Sequence, residues 1–266
     1  MNDAADDQRF TDEWERWHAR HEAKRADRHG FLAITSINWL NDSSQRFTDA
    51  PGEWRTDASG VHVDLAEGEE IVVDGRPVSG SYDVGVVPEG EGVFVGWGDA
   101  SIEIAKRGGH DIVRPRHPGS PVLAAYRGTP TYPPQERWAV PARFVPFDAP
   151  KPAAVGAVVE GMELLFESPG TVEFALDGHA LSLVVFTDPP GDGLWVLFRD
   201  TTSGVTTYAA CRSLHTAAPA ADGSVVLDFN RATNLPCAYT TFATCPLPPP
   251  ENHLPIAVEA GEQLPR

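Results

Sequence analysis

Val172-Glu-Phe-Ala-Leu-Asp-Gly-His-Ala-Leu-Ser-Leu-Val-Val-Phe186 is the stretch on which the fold turns. Two short apolar runs flank Asp177-Gly178, a dipeptide that suits tight hairpin turns, so the stretch reads as strand, turn, strand. The same dipeptide recurs at 74–75 and 222–223, again between or before apolar runs. Val61-His-Val-Asp-Leu65 alternates strictly, which places His62 and Asp64 on one face and the apolar residues on the other. Further strands are expected at 70–73, 82–87, 92–97, 101–105, 122–126, 137–145, 153–159 and 162–166, and then at 194–199, 205–210, 224–229 and 255–259. Phe31 to Leu40 enters the core as a strand, or as a strand and turn.

One helix stands against these strands. Over residues 10–29, Phe10, Trp14, Trp17 and His21 recur at helical spacing. Asp12 followed by Glu15 fits a capping box, and Gly30 fits a terminator. The aromatic stripe reads as a packing face. With 24 Gly and 24 Pro among 266 residues, turns are favoured over long helices. The expected class is mainly β, with antiparallel β-sandwich or barrel-like lobes and one N-terminal helix. Pro146-Phe-Asp-Ala-Pro-Lys-Pro152 marks a candidate boundary, giving a flexible 1–9, a helix plus β-rich lobe over 10–148 and a second β-rich lobe over 149–266. The same stretch also fits an ordinary connection within one sandwich.

Charge narrows the partners. The 38 acidic against 21 basic residues give a net charge of -17, which repels nucleic acid and anionic membrane at long range. No apolar run approaches a membrane span, and the acidic start lacks the pattern of a signal peptide. Three cysteines, Cys211, Cys237 and Cys245, fit a cytoplasmic chain. Their spacing with His253 raises a zinc site, but the close Cys pairs of structural zinc are missing, so no metal is expected and Cys237 and Cys245 stay weak candidates. A disulfide between these two is sterically feasible, and free thiols are the ordinary outcome. Phosphate-loop, dinucleotide and nucleophile-elbow motifs are missing as well, so no cofactor is expected and a serine hydrolase is disfavoured, although a triad built from distant residues leaves no motif.

Polar residues crowd the last third. Asp200, Thr201, Thr202 and Ser203 either cap a turn or, with Tyr208 and Arg212, line a pocket mouth. Asp228, Asn230, Asn234 and Asn252 either orient a polar ligand or satisfy the backbone of a long loop. Arg114, with Arg116 and His117 nearby, either grips an anion or pairs with surface acids, and Arg143 lies on what reads as an edge or bulged strand because of Pro141.

These residues also carry a resemblance. Asp200-Thr-Thr-Ser-Gly, Thr207-Tyr208, Arg212, Leu227-Asp-Phe-Asn230, Asn234-Leu-Pro-Cys-Ala238, Cys245-Pro, Pro250-Glu-Asn252 and Ala260-Gly-Glu262 resemble the domain of unknown function 1684 family of bacterial and archaeal proteins. Gly30-Phe-Leu, Asn38-Trp-Leu40 and Val140-Pro-Ala-Arg-Phe144 are similar too. His253 departs from the pattern. The resemblance implies no activity, only positions to inspect: Asp200, Tyr208, Arg212, Asp228, Asn230, Cys237, Cys245, Asn252 and Glu262.

Three functional readings follow. The first is a binding module that holds a small polar or anionic ligand, with Arg212 plus Arg114 or Arg143 for charge and Tyr208, Asn230 and Asn252 for orientation. The second is a hydrolase using Asp228 or Glu262 as base beside Arg212, which requires an acid and Arg212 to face one cavity. The third is purely structural and requires these side chains to be spent on the backbone. The sequence carries no oligomer signature.

Overall fold

A computed structural model describes residues 3–188 and 193–266. Strand outweighs helix by 45% to 15%, which places the chain in the mainly β class. Three antiparallel sheets of six, seven and four strands account for it, and none closes into a barrel among the described residues. No helix there is long and apolar enough to cross a membrane.

The chain divides into two compact units. The larger takes residues 1–22, 128–238 and 245–266; the smaller takes 23–127 and 239–244. The Pro-rich stretch 146–152 lies inside the long strand Ala139–Gly156, and the division falls near Glu22 and Arg127 instead. Proline is tolerated there because the neighbouring strand Ser224–Asp228 pairs only with 139–143, leaving one edge open, and because the pairing with Glu163–Leu176 shifts register between Pro146 and Lys151.

In the smaller unit the six-stranded sheet is built around the hairpin of Ala100–Arg107 and His110–Arg116. The four-stranded sheet is centred on Glu53–Asp57 and Gly60–Asp64. Trp54, Val61 and Val63 of the latter and Ile102, Ile104 and Val113 of the former share one core, as a sandwich requires.

The larger unit carries the seven-stranded sheet, in the order Ser224–Asp228, Ala139–Gly156, Glu163–Leu176, His179–Asp188, Gly193–Phe198, Arg212–His215, Thr233–Asn234. The stretch from Val172 to Phe186 forms the expected hairpin, with Asp177 and Gly178 at φ 48° and 79°. Val172, Leu183, Val185, Val196, Leu214 and Phe229 fill its core.

Several elements depart from expectation. The helix is Asp3–Arg25, so Asp12 lies in its interior, where its carboxylate takes a bond from Gln8 Nε2 (2.6 Å). Of the stretch expected to be flexible, residues 1 and 2 lie outside the described residues, and 3–9 are helical. The helix stops before Gly30, which opens the short 3-10 turn Phe31–Ala33. Residues 121–125 form a short helix with Pro121 in its first turn, a position where the missing N–H costs nothing. Residues 205–210 and 255–259 form no strand, for reasons that lie in the motif itself.

Candidate functional site

Arg212 opens the strand Arg212–His215 and is 1% exposed. Its terminal nitrogens donate to three acceptors: Asp200 Oδ2 (3.2 Å), the carbonyl of Val258 (2.9 Å) and the carbonyl of Ala260. The guanidinium also lies 5.0 Å from the Phe198 ring centre. Asp200 completes the clasp, since its Oδ2 accepts the Val258 N–H at 2.6 Å. Burial pulls the Arg212 guanidinium below its ordinary value, and Asp200 works in the opposite direction. Residues 255–259 bend at 255–256 and are alternately exposed and buried, with the main chain of Val258 bonded to side chains where a strand would bond to a neighbour.

The turn after Phe198 is held the same way. Thr202 Oγ1 donates to Asp200 Oδ1 (2.8 Å), Ser203 Oγ lies 3.2 Å from the same oxygen, and Thr202 Oγ1 meets Thr207 Oγ1 at 2.8 Å. This network curls 201–207 and removes the strand expected at 205–210.

The other motif residues serve the backbone as well. Asn252, fully buried, accepts from the Val184 N–H (2.7 Å) and donates to the carbonyls of Val184 (2.8 Å) and Leu197 (2.7 Å). It therefore bridges two strands of the seven-stranded sheet. Asn230 bonds both the N–H and the carbonyl of Gln135 (each 2.9 Å), and its own carbonyl takes the indole N–H of Trp14. Glu262 accepts the Asn234 N–H at 2.6 Å, and Tyr208 donates to the Cys237 carbonyl at 2.8 Å. Asp228 caps the 3-10 turn Phe229–Arg231 through the Asn230 N–H and pairs with Arg231 Nε (3.0 Å).

The arginines proposed to accompany Arg212 have settings of their own. Arg114 belongs to the smaller unit, where Glu103 takes both its Nε (3.1 Å) and Nη2 (2.7 Å) and also pairs with Arg116. Burial pushes the Glu103 carboxyl up, and the two guanidiniums more than offset this and hold it below its ordinary value. Arg143 is exposed on the strand Ala139–Gly156.

A groove of about 500 Å³ does open in the larger unit. Pro141, Ala217, Ala218 and Val226 form apolar walls, and His215, Asp228 and Arg231 supply charge and hydrogen-bonding groups. Of the nine candidate ligand residues, Asp228 alone lines it. Sequence reasoning missed His215 and Arg231, because the groove gathers them with Pro141 and Val226 from separate elements, a juxtaposition that no local pattern encodes.

A Ser–His–Asp order also assembles without any motif. Ser213 Oγ lies 3.3 Å from His215 Nε2, and His215 Nδ1 lies 2.8 Å from Asp188 Oδ2. Two residues apart on one strand, Ser213 and His215 share a face, but nothing in sequence announces Asp188. Ser213 is 2% exposed and accepts the Trp195 indole N–H at 2.7 Å, so its hydroxyl is closed to a substrate carbonyl. The triad order is geometry without access.

The three thiols gather near Tyr208. Cys237 N–H donates to Cys245 Sγ at 3.3 Å, and buried Cys211 donates to the Pro246 carbonyl at 3.5 Å. Among the described residues no group of three or more His, Cys, Asp or Glu is placed to hold a metal ion.

Comparison with known proteins agrees with the motif. The sequence model of the family described as "Protein of unknown function (DUF1684)" matches residues 124–263, more than half of the chain. Among solved structures, the solution NMR structure of an uncharacterized protein of Haloarcula marismortui is 30% identical, with a TM-score of 0.45; the match covers 53% of this chain and 78% of that one. No curated protein matches. The chain belongs to the DUF1684 family of proteins of unknown function.

Proposed function

We propose that the chain is a binding module whose ligand lies in the groove between the Pro141–Val226 pair and the 215–220 segment. The observation that carries this is the coincidence of exposed apolar walls with three polar side chains, His215, Asp228 and Arg231, at one concave surface. The ligand class is a small molecule with an apolar body and a carboxylate, hydroxyl or amide at one end. Arg231 donates to an anionic or carbonyl oxygen, and His215 and Asp228 select for hydroxyl or amide groups. The buried motif residues set the walls and do not touch the ligand. A hydrolytic reading has less support, because Arg212 and Glu262 lie outside the groove and Arg212 is already bonded to Asp200.

The test is ligand-observed NMR with a library of small carboxylates and amides against wild type, Arg231→Ala and Ala218→Trp. Binding to wild type should weaken roughly tenfold on loss of the charged donor, the worth of one charge-assisted bond. The indole at exposed Ala218 should abolish it by filling the groove while leaving the melting temperature unchanged. A ligand that binds both variants as well as wild type would place the site elsewhere.

A further inference from the structure

We propose that Cys237 and Cys245 form a hydroperoxide-reactive dithiol, in which Cys237 is the sulfur attacked first and Cys245 resolves it to a disulfide. The proposal is independent of the groove. It rests on three features of one cluster. The two residues are already in contact, since Cys245 Sγ accepts the Cys237 N–H at 3.3 Å. A resolving sulfur therefore starts beside its target, and no segment must unfold to bring it there.

The second feature is unequal access. Cys237 is half-buried, whereas Cys245 and Cys211 are buried. An oxidant from solvent meets Cys237 first. The third is the distribution of the proton. The neighbouring Cys245 side chain holds the Cys237 thiol below its ordinary value against the opposing effect of burial, with the Tyr208 hydroxyl adding to the lowering. The same contact, together with burial, pushes Cys245 up. Cys237 is thus the member of the pair that ionises, and the thiolate is the reactive form of a cysteine. Burial also raises Cys211, which keeps the third thiol out of the reaction.

The chemistry balances with a hydroperoxide as oxidant. The Cys237 thiolate attacks one oxygen of ROOH; an S–O bond forms, the O–O bond breaks, and the leaving alkoxide takes the proton that Cys237 lost. Cys237 becomes a sulfenic acid and the peroxide is reduced to an alcohol. Cys245 then attacks that sulfur; the S–S bond forms, the S–O bond breaks, and hydroxide leaves with the Cys245 proton as water. Two thiols and one hydroperoxide give one disulfide, one alcohol and one water. A dithiol reductant reverses the change by exchange.

The experiment treats the reduced full-length protein with hydrogen peroxide and maps the thiols by alkylation and peptide mass spectrometry. The titratable thiols should fall from three to one. The new bond should join 237 to 245, and Cys211 should alkylate only after denaturation. In Cys245→Ser, a 1,3-dione reagent should trap sulfenic acid at Cys237. A disulfide through Cys211, three thiols that persist at peroxide concentrations oxidising a free cysteine, or oxidation only in denaturant would overturn the proposal. The wild-type mapping decides it even where the serine variant fails to fold.

Discussion

Arg212 spends its terminal nitrogens on Asp200, Val258 and Ala260, and what it would leave behind sets its importance. Truncation to alanine leaves the buried Asp200 carboxylate without its cation and two carbonyls without a donor. Breaking a buried pair in this way costs about 3–5 kcal/mol, so Arg212→Ala is expected to shift its urea midpoint down without a change of slope. Lysine should not rescue it, because one ammonium cannot reproduce a planar fork reaching three acceptors. At this scale the sequence showed which residues to inspect and left their employment open. Asp200, Arg212, Asn230 and Asn252 have the same donors and acceptors whether they meet a ligand or a carbonyl. Only the path of residues 254–262 past the strand Arg212–His215 decides it, and no local pattern encodes that path.

Secondary-structure elements were legible where the turn chemistry was local. Two of the Asp-Gly pairs, Asp74-Gly75 and Asp177-Gly178, mark hairpins because both residues sit at positive φ; at 222–223 only Gly223 does, and the pair precedes the strand Ser224–Asp228 without joining it to a paired strand. Where side chains replaced strand partners, alternation misled: 255–259 has the burial pattern of a strand, yet Asp200 and Arg212 hold its backbone. The short apolar run 122–126 failed for another reason, since four or five apolar residues do not separate strand from helix. Two glycines give a paired test of the hairpins. A Cβ at Gly178 meets nothing within 4 Å, so Gly178→Ala should cost only the left-handed penalty of about 1–2 kcal/mol. At Gly60 (φ 113°) a Cβ would lie 2.0 Å from the Gly85 carbonyl carbon, backbone that cannot give way. Gly60→Ala should therefore lose more stability than Gly178→Ala in parallel thermal melts. Equal losses would contradict the strand contact.

For the molecule as a whole, charge governs the pH range of the smaller unit. His62 Nδ1 meets Asp83 at 2.6 Å and its Nε2 meets Asp57 at 3.2 Å; bonds to these two, Asp83 foremost, raise His62 above its ordinary 6.5 against nearby Arg55. A raised histidine contributes stability that is full below 6.5 and is lost as pH climbs through its folded value. Glu103, held below its ordinary 4.5, contributes stability that is full above 4.5 and is lost as pH falls through its folded value. Stability of this unit should thus plateau between 4.5 and 6.5. Hydrogen exchange of peptides covering 60–64 and 100–116 checks it, and His62→Gln should flatten the alkaline decline alone.

The buried motif residues are spent on the backbone of the fold, and the proposed ligand groove is lined by other side chains together with Asp228. The decisive measurement is hydrogen exchange of Arg212→Ala against wild type, read over residues 254–262 and over the groove. Protection across 254–262 should be lost early, together with the fall in global stability. A variant that keeps wild-type protection there, with an unchanged urea midpoint, would return Arg212 to the list of ligand contacts and contradict the claim.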